Sequence, residues 1–382
     1  MICFNYGRTL PDGTYSESTK YGAIGVIIHE VGHNFFPMIV NSDERQWTWM
    51  DEGLNTFVQY LTEQEFDNNY PHRRGPAFKI APYMALPKEQ LEPIMTNSEN
   101  IIHFGSNAYA KAATGLNIMR ETIMGRELFD YAFKEYAKRW AFKHPTPDDL
   151  FRTLEDASAV DLDWFIKGWY FGIENVDISV DDVRWYKLDT KDPNIENPIM
   201  SAQAKADSRD IADERNKAEG KKFYVEEDKR LQDFYYSYDQ FEVTDRSKQA
   251  YEQFNASLSE QERKMLGANN NFYEIDFSNV GGLVMPIIIE WTYADGTKEV
   301  DRIPAYIWRK NESNVTKAFM KSKEVVQIRI DPDRETADTD EANNYFPRDS
   351  KPSRFEMFKS RGGGARGQAS GSNPMQKANG GN

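Results

Sequence analysis

Two histidines four residues apart, His29 and His33, constrain the fold of this chain more than any other feature of its sequence. They follow the apolar run from Ala23 to Ile28, which predicts that they lie on a largely buried helix. With about 3.6 residues per turn, positions four apart lie on the same face of a helix. Because a buried polar group without a partner costs free energy, we expect this face to hold a ligand, and one metal ion suits two imidazoles.

Two glutamates complete a candidate metal centre. Glu30, next to the first histidine, is angled to reach a water on the ion rather than the ion itself, and a base beside a Lewis acid produces hydroxide near neutral pH. Glu52 follows His33 after eighteen intervening residues and is the expected third ligand. His, His and Glu leave the fourth position of a tetrahedral zinc ion open. The alternative, two surface histidines beside a solvated glutamate, fits the apolar run poorly.

Three segments resemble the zinc aminopeptidase family of gluzincin metallopeptidases, which includes aminopeptidase N and leukotriene hydrolase. The family pattern is HExxH, eighteen residues, then a glutamate inside W-x-x-E-G, and this chain has His29–His33 followed by Trp49–Gly53. A further segment, Tyr109-Ala110-Lys111-Ala112-Ala113, resembles the family's Y-x-K-G-A turn with Ala112 in place of glycine. Phe35 also departs from the family, in which tryptophan is usual at that position.

The resemblance implies one Zn²⁺ ion held by His29, His33 and Glu52. It implies Glu30 as general base and Tyr109 as the group that polarises the scissile carbonyl. The activity it implies is a zinc-dependent aminopeptidase that hydrolyses the N-terminal bond of a peptide substrate. Two alternatives stay open: a non-catalytic zinc-binding fragment or interaction module, and an endopeptidase of the same clan, which needs no anchor for the substrate's α-amino group.

The start of the chain departs from the family. There, the HExxH helix is preceded by a β-rich domain and by a G-x-M-E-N strand, whose glutamate holds the substrate's free amino group. Residues 1–7 resemble the strand just after that motif, so we expect the chain to begin inside the catalytic domain. No signal peptide is visible in this sequence, and the compartment, including export to a periplasm, stays open.

Composition limits the classes of partner. A net charge of -14 and a pI near 5.0 argue against nucleic acid, whose phosphates attract basic patches. The single cysteine, Cys3, cannot form a disulfide within the chain. No apolar stretch is long enough for a transmembrane helix. The oligomeric state cannot be derived from the sequence.

Hydrophobic periodicity predicts an α+β multidomain protein. Residues 1–172 form a mostly helical catalytic portion, thermolysin-like by the family resemblance, and residues 173–347 alternate as strands do and predict a small β-sandwich. A charged helical insertion at about 191–268 interrupts the sandwich. Residues 348–382, rich in glycine and serine, are predicted to form a disordered tail because they can bury little apolar surface.

The individual elements follow from the same periodicity. Glu52 is expected in the first turn of its helix, where a carboxylate is favourable, and Lys111 on a helix surface. Helices are predicted at 19–37, 51–66, 108–124, 128–143, 147–157 and 161–169, and strands at 176–180, 183–186, 272–277, 287–293, 299–303 and 325–330.

Overall fold

The computed structural model describes residue 7 and residues 9–208, 210–268 and 270–348. The strand expected at residues 1–7 and the tail expected at residues 348–382 therefore lie outside the described residues, apart from Gly7 and Arg348. Within the described part, a helical region comes first and two antiparallel sheets follow. None of the described helices is both long and apolar enough to cross a membrane.

The helical region extends from residue 17 to residue 171. Its α-helices are α1 (Glu17–Gly32), α2 (Thr48–Phe66), α3 (Ala81–Met84), α4 (Ala112–Ile118), α5 (Arg126–Trp140), α6 (Pro147–Ser158) and α7 (Asp163–Phe171). Wider π-helical turns lie at Asn34–Ile39, Gly105–Lys111 and Met119–Ile123, and 3-10 turns at Ala77–Lys79, Lys88–Gln90 and Ser98–Asn100. Two of the π-helical turns flank α4, so the chain is helical without a break from residue 105 to 123.

Helix α2 lies at the centre of this region. Its apolar face, predicted from the i, i+3 and i+4 pattern, buries Leu54 and Phe57 completely. The Phe57 ring contacts the rings of Phe129 and Phe133 on α5, at centroid distances of 5.5 and 5.6 Å. Edge-to-face aromatic pairs of this kind stabilise a core beyond simple area burial.

Two boundaries near the motif differ from the prediction. Helix α1 ends at Gly32 rather than Pro37, and a π-helical turn follows it at Asn34–Ile39. Within that turn Phe36 has extended backbone angles (φ -122°, ψ 107°), which a residue before proline favours. Helix α2 begins at Thr48, so Glu52 lies beyond the first turn in which it was expected. The backbone N–H of Thr48 donates to Ser98 Oγ at 3.2 Å, a partner from a distant loop that local periodicity cannot reveal.

Two antiparallel sheets follow the helices. Their strands are β1 (Ile178–Lys187), β2 (Asn271–Asn279), β3 (Ile287–Tyr293), β4 (Lys298–Ile303), β5 (Asn314–Lys321), β6 (Val325–Ile330) and β7 (Tyr345–Phe346). One sheet has the order β1-β2-β5 and the other β4-β3-β6-β7. The sheets face each other through Trp291 on β3, whose ring lies 6.0 Å from Tyr273 on β2 and 4.9 Å from Phe319 on β5.

The strand predictions need two corrections. The strands predicted at 176–180 and 183–186 are one strand, β1, whose pairing with β2 shifts register between Val180 and Asp182. Strand β5 was not predicted, because Lys317 and Lys321 alternate with apolar residues on its less exposed face. Lys321 is tolerated there because its ammonium pairs with Glu299 at 3.0 Å and Asp301 at 2.7 Å.

The charged segment between β1 and β2 is helical and exposed, as predicted. Of the residues in its helices, only Pro193 is buried. Ser259 caps the last helix as expected, whereas Ser257 ends the preceding helix rather than capping one. The division of the chain at residues 172 and 347 stays a prediction. The helices are α8 (Pro193–Asp207), α9 (Ile211–Ala218), α10 (Tyr224–Glu227), α11 (Phe234–Ser237), α12 (Asp245–Ser257) and α13 (Glu260–Gly267), with a 3-10 turn at Lys229–Leu231.

Asp338 joins the loop after β6 to the start of β1. Its carboxylate accepts the backbone N–H of Ile178 at 3.2 Å and that of Asp340 at 2.9 Å. Burial raises the pKa of Asp338 from 3.8 to about 7. Between these two values the folded chain holds a proton that the unfolded chain has released, so the free energy of unfolding falls as the pH rises.

We therefore expect the unfolding midpoint in urea to fall more for the wild type than for Asp338→Asn when the pH is raised from 5 to 8. The amide keeps an acceptor oxygen but carries no titrating proton. Asp333→Asn, at an exposed position in the same loop, is the control and should follow the wild type. Equal pH responses of wild type and Asp338→Asn would contradict the prediction.

Candidate active site

The three predicted metal ligands come together where α1 packs against α2. His29 Nε2 lies 3.0 Å from Glu52 Oε2, and His33 Nε2 lies 3.6 Å from the same oxygen. All three side chains are partly buried, and their donor atoms are close enough to share one ion. Two imidazoles and one carboxylate are a donor set that zinc accepts, with room for a further ligand.

Each histidine has a hydrogen-bond acceptor behind it. His29 Nδ1 lies 2.9 Å from Gln59 Oε1, an amide oxygen that can only accept, so Nδ1–H donates and Nε2 points to Glu52. Gln59 in turn donates to Glu63 Oε1 at 2.8 Å, and Glu63 Oε2 accepts from His72 Nδ1 at 2.7 Å. Such acceptors fix the tautomer and orientation of a ligating imidazole.

The Phe36 carbonyl oxygen and the Asp51 carboxylate together perform the corresponding task for His33. His33 Nδ1 lies 2.9 Å from Asp51 Oδ1 and 2.9 Å from the carbonyl oxygen of Phe36. The hydrogen bond to Asp51 raises the pKa of His33 to about 9. Asp51 and Gln59 were not predicted as site residues, although both lie on α2, one position before and seven positions after Glu52.

Glu30 and Tyr109 line one cavity of about 390 Å³ beside His29. Among the described residues Glu30 has no hydrogen-bond or ion-pair partner, so its carboxylate is available to a ligand. The Tyr109 ring stacks on the His29 ring at a centroid distance of 5.8 Å. Burial raises the pKa of Tyr109, and its hydrogen bond with Glu52 raises it further, so the phenol keeps its proton and is a donor.

Two glycines allow the segments that carry these residues to approach. A Cβ at Gly32 on α1 would lie 2.0 Å from Asn55 Oδ1, and the Asn55 amide donates to the His29 carbonyl oxygen at 2.7 Å. A Cβ at Gly53 on α2 would lie 2.5 Å from Ala112 Cβ and 2.9 Å from the Ala108 carbonyl oxygen. The backbone contact at Gly53 thus brings Glu52 next to the turn that carries Tyr109.

Lys111 is not on a helix surface, as the sequence suggested, but is buried. Its ammonium donates to the Gly172 carbonyl oxygen at 3.3 Å and lies 5.9 Å from the Trp169 ring. Burial lowers the pKa of Lys111 to about 8. The partners that cover it lie at and beyond the end of α7, some sixty residues away in the chain, so the helical pattern around Lys111 could not indicate its burial.

The comparisons with known proteins point in one direction. The peptidase family M1 domain matches residues 1–169. Aminopeptidase M1-D of Oryza sativa subsp. japonica is 25% identical over 162 residues, which are 40% of this chain and 18% of the relative. Probable aminopeptidase 1 of Sulfurisphaera tokodaii is 23% identical over 197 residues, 49% of this chain and 25% of the relative. The chain thus spans about a fifth to a quarter of the length of these relatives.

Solved structures of similar proteins were also found. Aminopeptidase A of Legionella pneumophila in complex with aspartic acid matches 85% of this chain and 26% of its own, with 13% identity and a TM-score of 0.41. A variant of an M1 zinc metallopeptidase from Deinococcus radiodurans bound to a Tyr-Ser-Ala substrate matches 42% of this chain and 35% of its own, with 19% identity and a TM-score of 0.33.

The contact at Gly53 predicts a large effect of one methyl group. Gly53→Ala should lower the free energy of unfolding by about 1 to 3 kcal/mol, because the new Cβ overlaps Ala112 and the Ala108 backbone. Urea denaturation measures the change. Adding Ala112→Gly should recover part of the lost stability. The control Gly267→Ala should not lower the free energy of unfolding, because its new Cβ would have no atom within 4 Å. An unaltered midpoint for Gly53→Ala would show that the contact is not tight.

Proposed function

We infer that residues 1–169, which the peptidase family M1 domain matches, are part of a peptidase of that family. We propose that the protein is a zinc-dependent aminopeptidase, a hydrolase that cleaves the N-terminal bond of peptides with an activated water. The observation that carries the proposal is the meeting of His29, His33 and Glu52 at one point beside a cavity that Glu30 and Tyr109 line. A donor set with an open position, a nearby base and a nearby acid are the parts that peptide hydrolysis needs.

We assign the zinc ligands to His29, His33 and Glu52. When bound, the ion supplies a Lewis acid that lowers the pKa of water and polarises a carbonyl group. Gln59 and Asp51 hold the two imidazoles with Nε2 towards the site. Loss of such supporting hydrogen bonds typically weakens metal binding by about 10- to 100-fold.

Glu30 is assigned as the general base. Its carboxylate takes a proton from the attacking water as the water oxygen forms a bond with the carbonyl carbon. When the C–N bond breaks, Glu30 passes that proton to the leaving amine, so proton and electron pairs balance over the cycle. The lack of an ion pair or hydrogen bond for Glu30 among the described residues supports this role, since nothing competes for the carboxylate.

Tyr109 is assigned as the donor to the developing oxyanion. Its raised pKa keeps the phenol protonated at neutral pH, and its stacking on His29 places it beside the candidate ligands. In other enzymes, removal of one such donor costs about 3 to 4 kcal/mol of transition-state stabilisation. The hydrogen bond with Glu52 is the contact that a substrate carbonyl would replace.

The decisive variant is Glu30→Gln. We expect it to keep zinc, because Glu30 is no ligand, and to lose about 10²- to 10⁴-fold in kcat, because the amide cannot accept a proton. Zinc content by atomic emission and hydrolysis of an aminoacyl amide measure the two properties. Glu65→Gln, at an exposed position of α2, is the matched control. Undiminished turnover in Glu30→Gln would rule out the mechanism, and a zinc-loaded but inert wild type would favour a non-catalytic zinc-binding module.

The need for a free α-amino group distinguishes an aminopeptidase from an endopeptidase of the same clan. We expect the zinc-loaded protein to hydrolyse an aminoacyl amide with a free amino group and to leave the N-acetylated counterpart intact, because an aminopeptidase requires the α-amino group. Release of the amide product by the two substrates is the measurement. Equal cleavage of both would assign the site to an endopeptidase instead.

A further inference from the structure

Arg74 lines the same cavity as His29 and Glu30, and none of the described carboxylates pairs with it. Its guanidinium lies over the Tyr109 ring, 4.5 Å from the centroid. No hydrogen bond from the guanidinium to another described residue is formed either. The Arg74 guanidinium thus faces a cavity beside the candidate active site, and no described residue accepts a hydrogen bond from it.

Two other partly buried arginines of the described residues are paired. Arg120 binds Asp130 at 2.7 Å, and Arg184 binds Asp276 at 2.7 Å. Pairing is expected, because the removal of a charged group from water is costly unless a counter-charge replaces the water. For Arg74 that cost appears as a lowered pKa, caused mainly by burial. A ligand with negative charge would remove the cost.

Two carboxylates that line the cavity do not pair with this cation, and Glu52, a candidate metal ligand, acts on it only at a distance. Glu63 lines the cavity but is already engaged by His72 at 2.7 Å and by Gln59 at 2.8 Å. Glu30, also at the cavity, makes no ion pair with Arg74. A carboxylate of a molecule bound in the cavity would supply the paired counter-charge that no described residue provides.

The surroundings of Arg74 fix its orientation. The Tyr109 ring supports one face of the guanidinium, and Gly105 beside Arg74 Nη2 has no side chain that could cover it. A planar guanidinium held in this way offers two parallel N–H donors to a carboxylate. The Tyr109 ring also stacks on the His29 ring at 5.8 Å, so Arg74 and a candidate metal ligand contact the same tyrosine.

We propose that Arg74 binds a carboxylate of the substrate, so that the enzyme prefers peptides that bring an acidic group close to the scissile bond. The inference rests on the proposed peptidase function. The carboxylate has two sources, an aspartate or glutamate side chain next to the scissile bond or the C-terminus of a dipeptide. A charge-assisted pair of this kind corresponds to about a 10- to 100-fold preference over the matching amide.

Three substrate pairs that differ by one carboxylate distinguish the sources. They are Glu against Gln as the N-terminal residue of an aminoacyl anilide, Glu against Gln at the second residue of an amidated tripeptide, and Ala-Ala against its C-terminal amide. We expect the wild type to prefer the acid in at least one pair by about 10-fold or more in kcat/KM, mainly through KM.

Arg74→Met and Arg74→Lys test the residue itself. Arg74→Met, which keeps the length of the side chain on Tyr109, should remove the preference, and Arg74→Lys should retain part of it. Arg152→Met, on the exposed face of α6, should leave it unchanged. If Arg74→Met lowers both members of every pair equally, Arg74 only positions Tyr109 and the proposal is wrong.

Measurements of substrate binding test the carboxylate site independently of the proposed peptidase activity. Calorimetric titration of zinc-loaded Glu30→Gln with the same pairs measures affinity without turnover. Tighter binding of the acid that is lost in the Glu30→Gln/Arg74→Met double variant supports the carboxylate site even if the wild type hydrolyses nothing. Hydrolysis of neutral substrates by the wild type, with no acid preference in any pair, would overturn the carboxylate site and leave the peptidase proposal standing.

Discussion

The close packing of α1, α2 and the turn that carries Tyr109 is the contact on which the candidate active site depends. At Gly32 the chain approaches the Asn55 side chain, whose amide donates to the His29 carbonyl oxygen at 2.7 Å. At Gly53 the second helix meets Ala112 so closely that a methyl group would overlap it. Each glycine sits beside a residue of the site, so small changes in helix spacing would separate the histidines from Glu52 and Glu52 from Tyr109.

The polar groups inside this packing are held by one another. His29, Gln59, Glu63 and His72 form a continuous chain of hydrogen bonds, and His33 is held by Asp51. These contacts offset the cost of taking charged and polar groups out of water, and they orient both imidazoles towards a common point. Arg74 stands outside the network: it lies over the Tyr109 ring, and no carboxylate of the described residues pairs with it.

In the sheets, too, buried charged groups depend on the partners that other segments provide. Lys321 is almost fully buried between them, yet its ammonium contacts two carboxylates and lies 4.5 Å from the Trp291 ring. Asp338, by contrast, is buried with backbone donors but without a cation, which raises its pKa to about 7. The two residues differ in the partners that the tertiary structure provides: Lys321 has two counter-charges, whereas the donors to Asp338 are uncharged.

The sequence by itself determined which atoms can act. The spacing of His29, Glu30 and His33, the glutamate eighteen residues on and the periodic apolar positions of α2 are local properties, since helical geometry decides which side chains share a face. The tertiary structure decided where α1 ends, what supports each imidazole, that Lys111 is buried and that no described carboxylate pairs with Arg74. Periodicity reports the faces of single elements, whereas partners such as Ser98, Gly172 and Gln59 come from other segments of the chain, and their distances exist only once those segments pack.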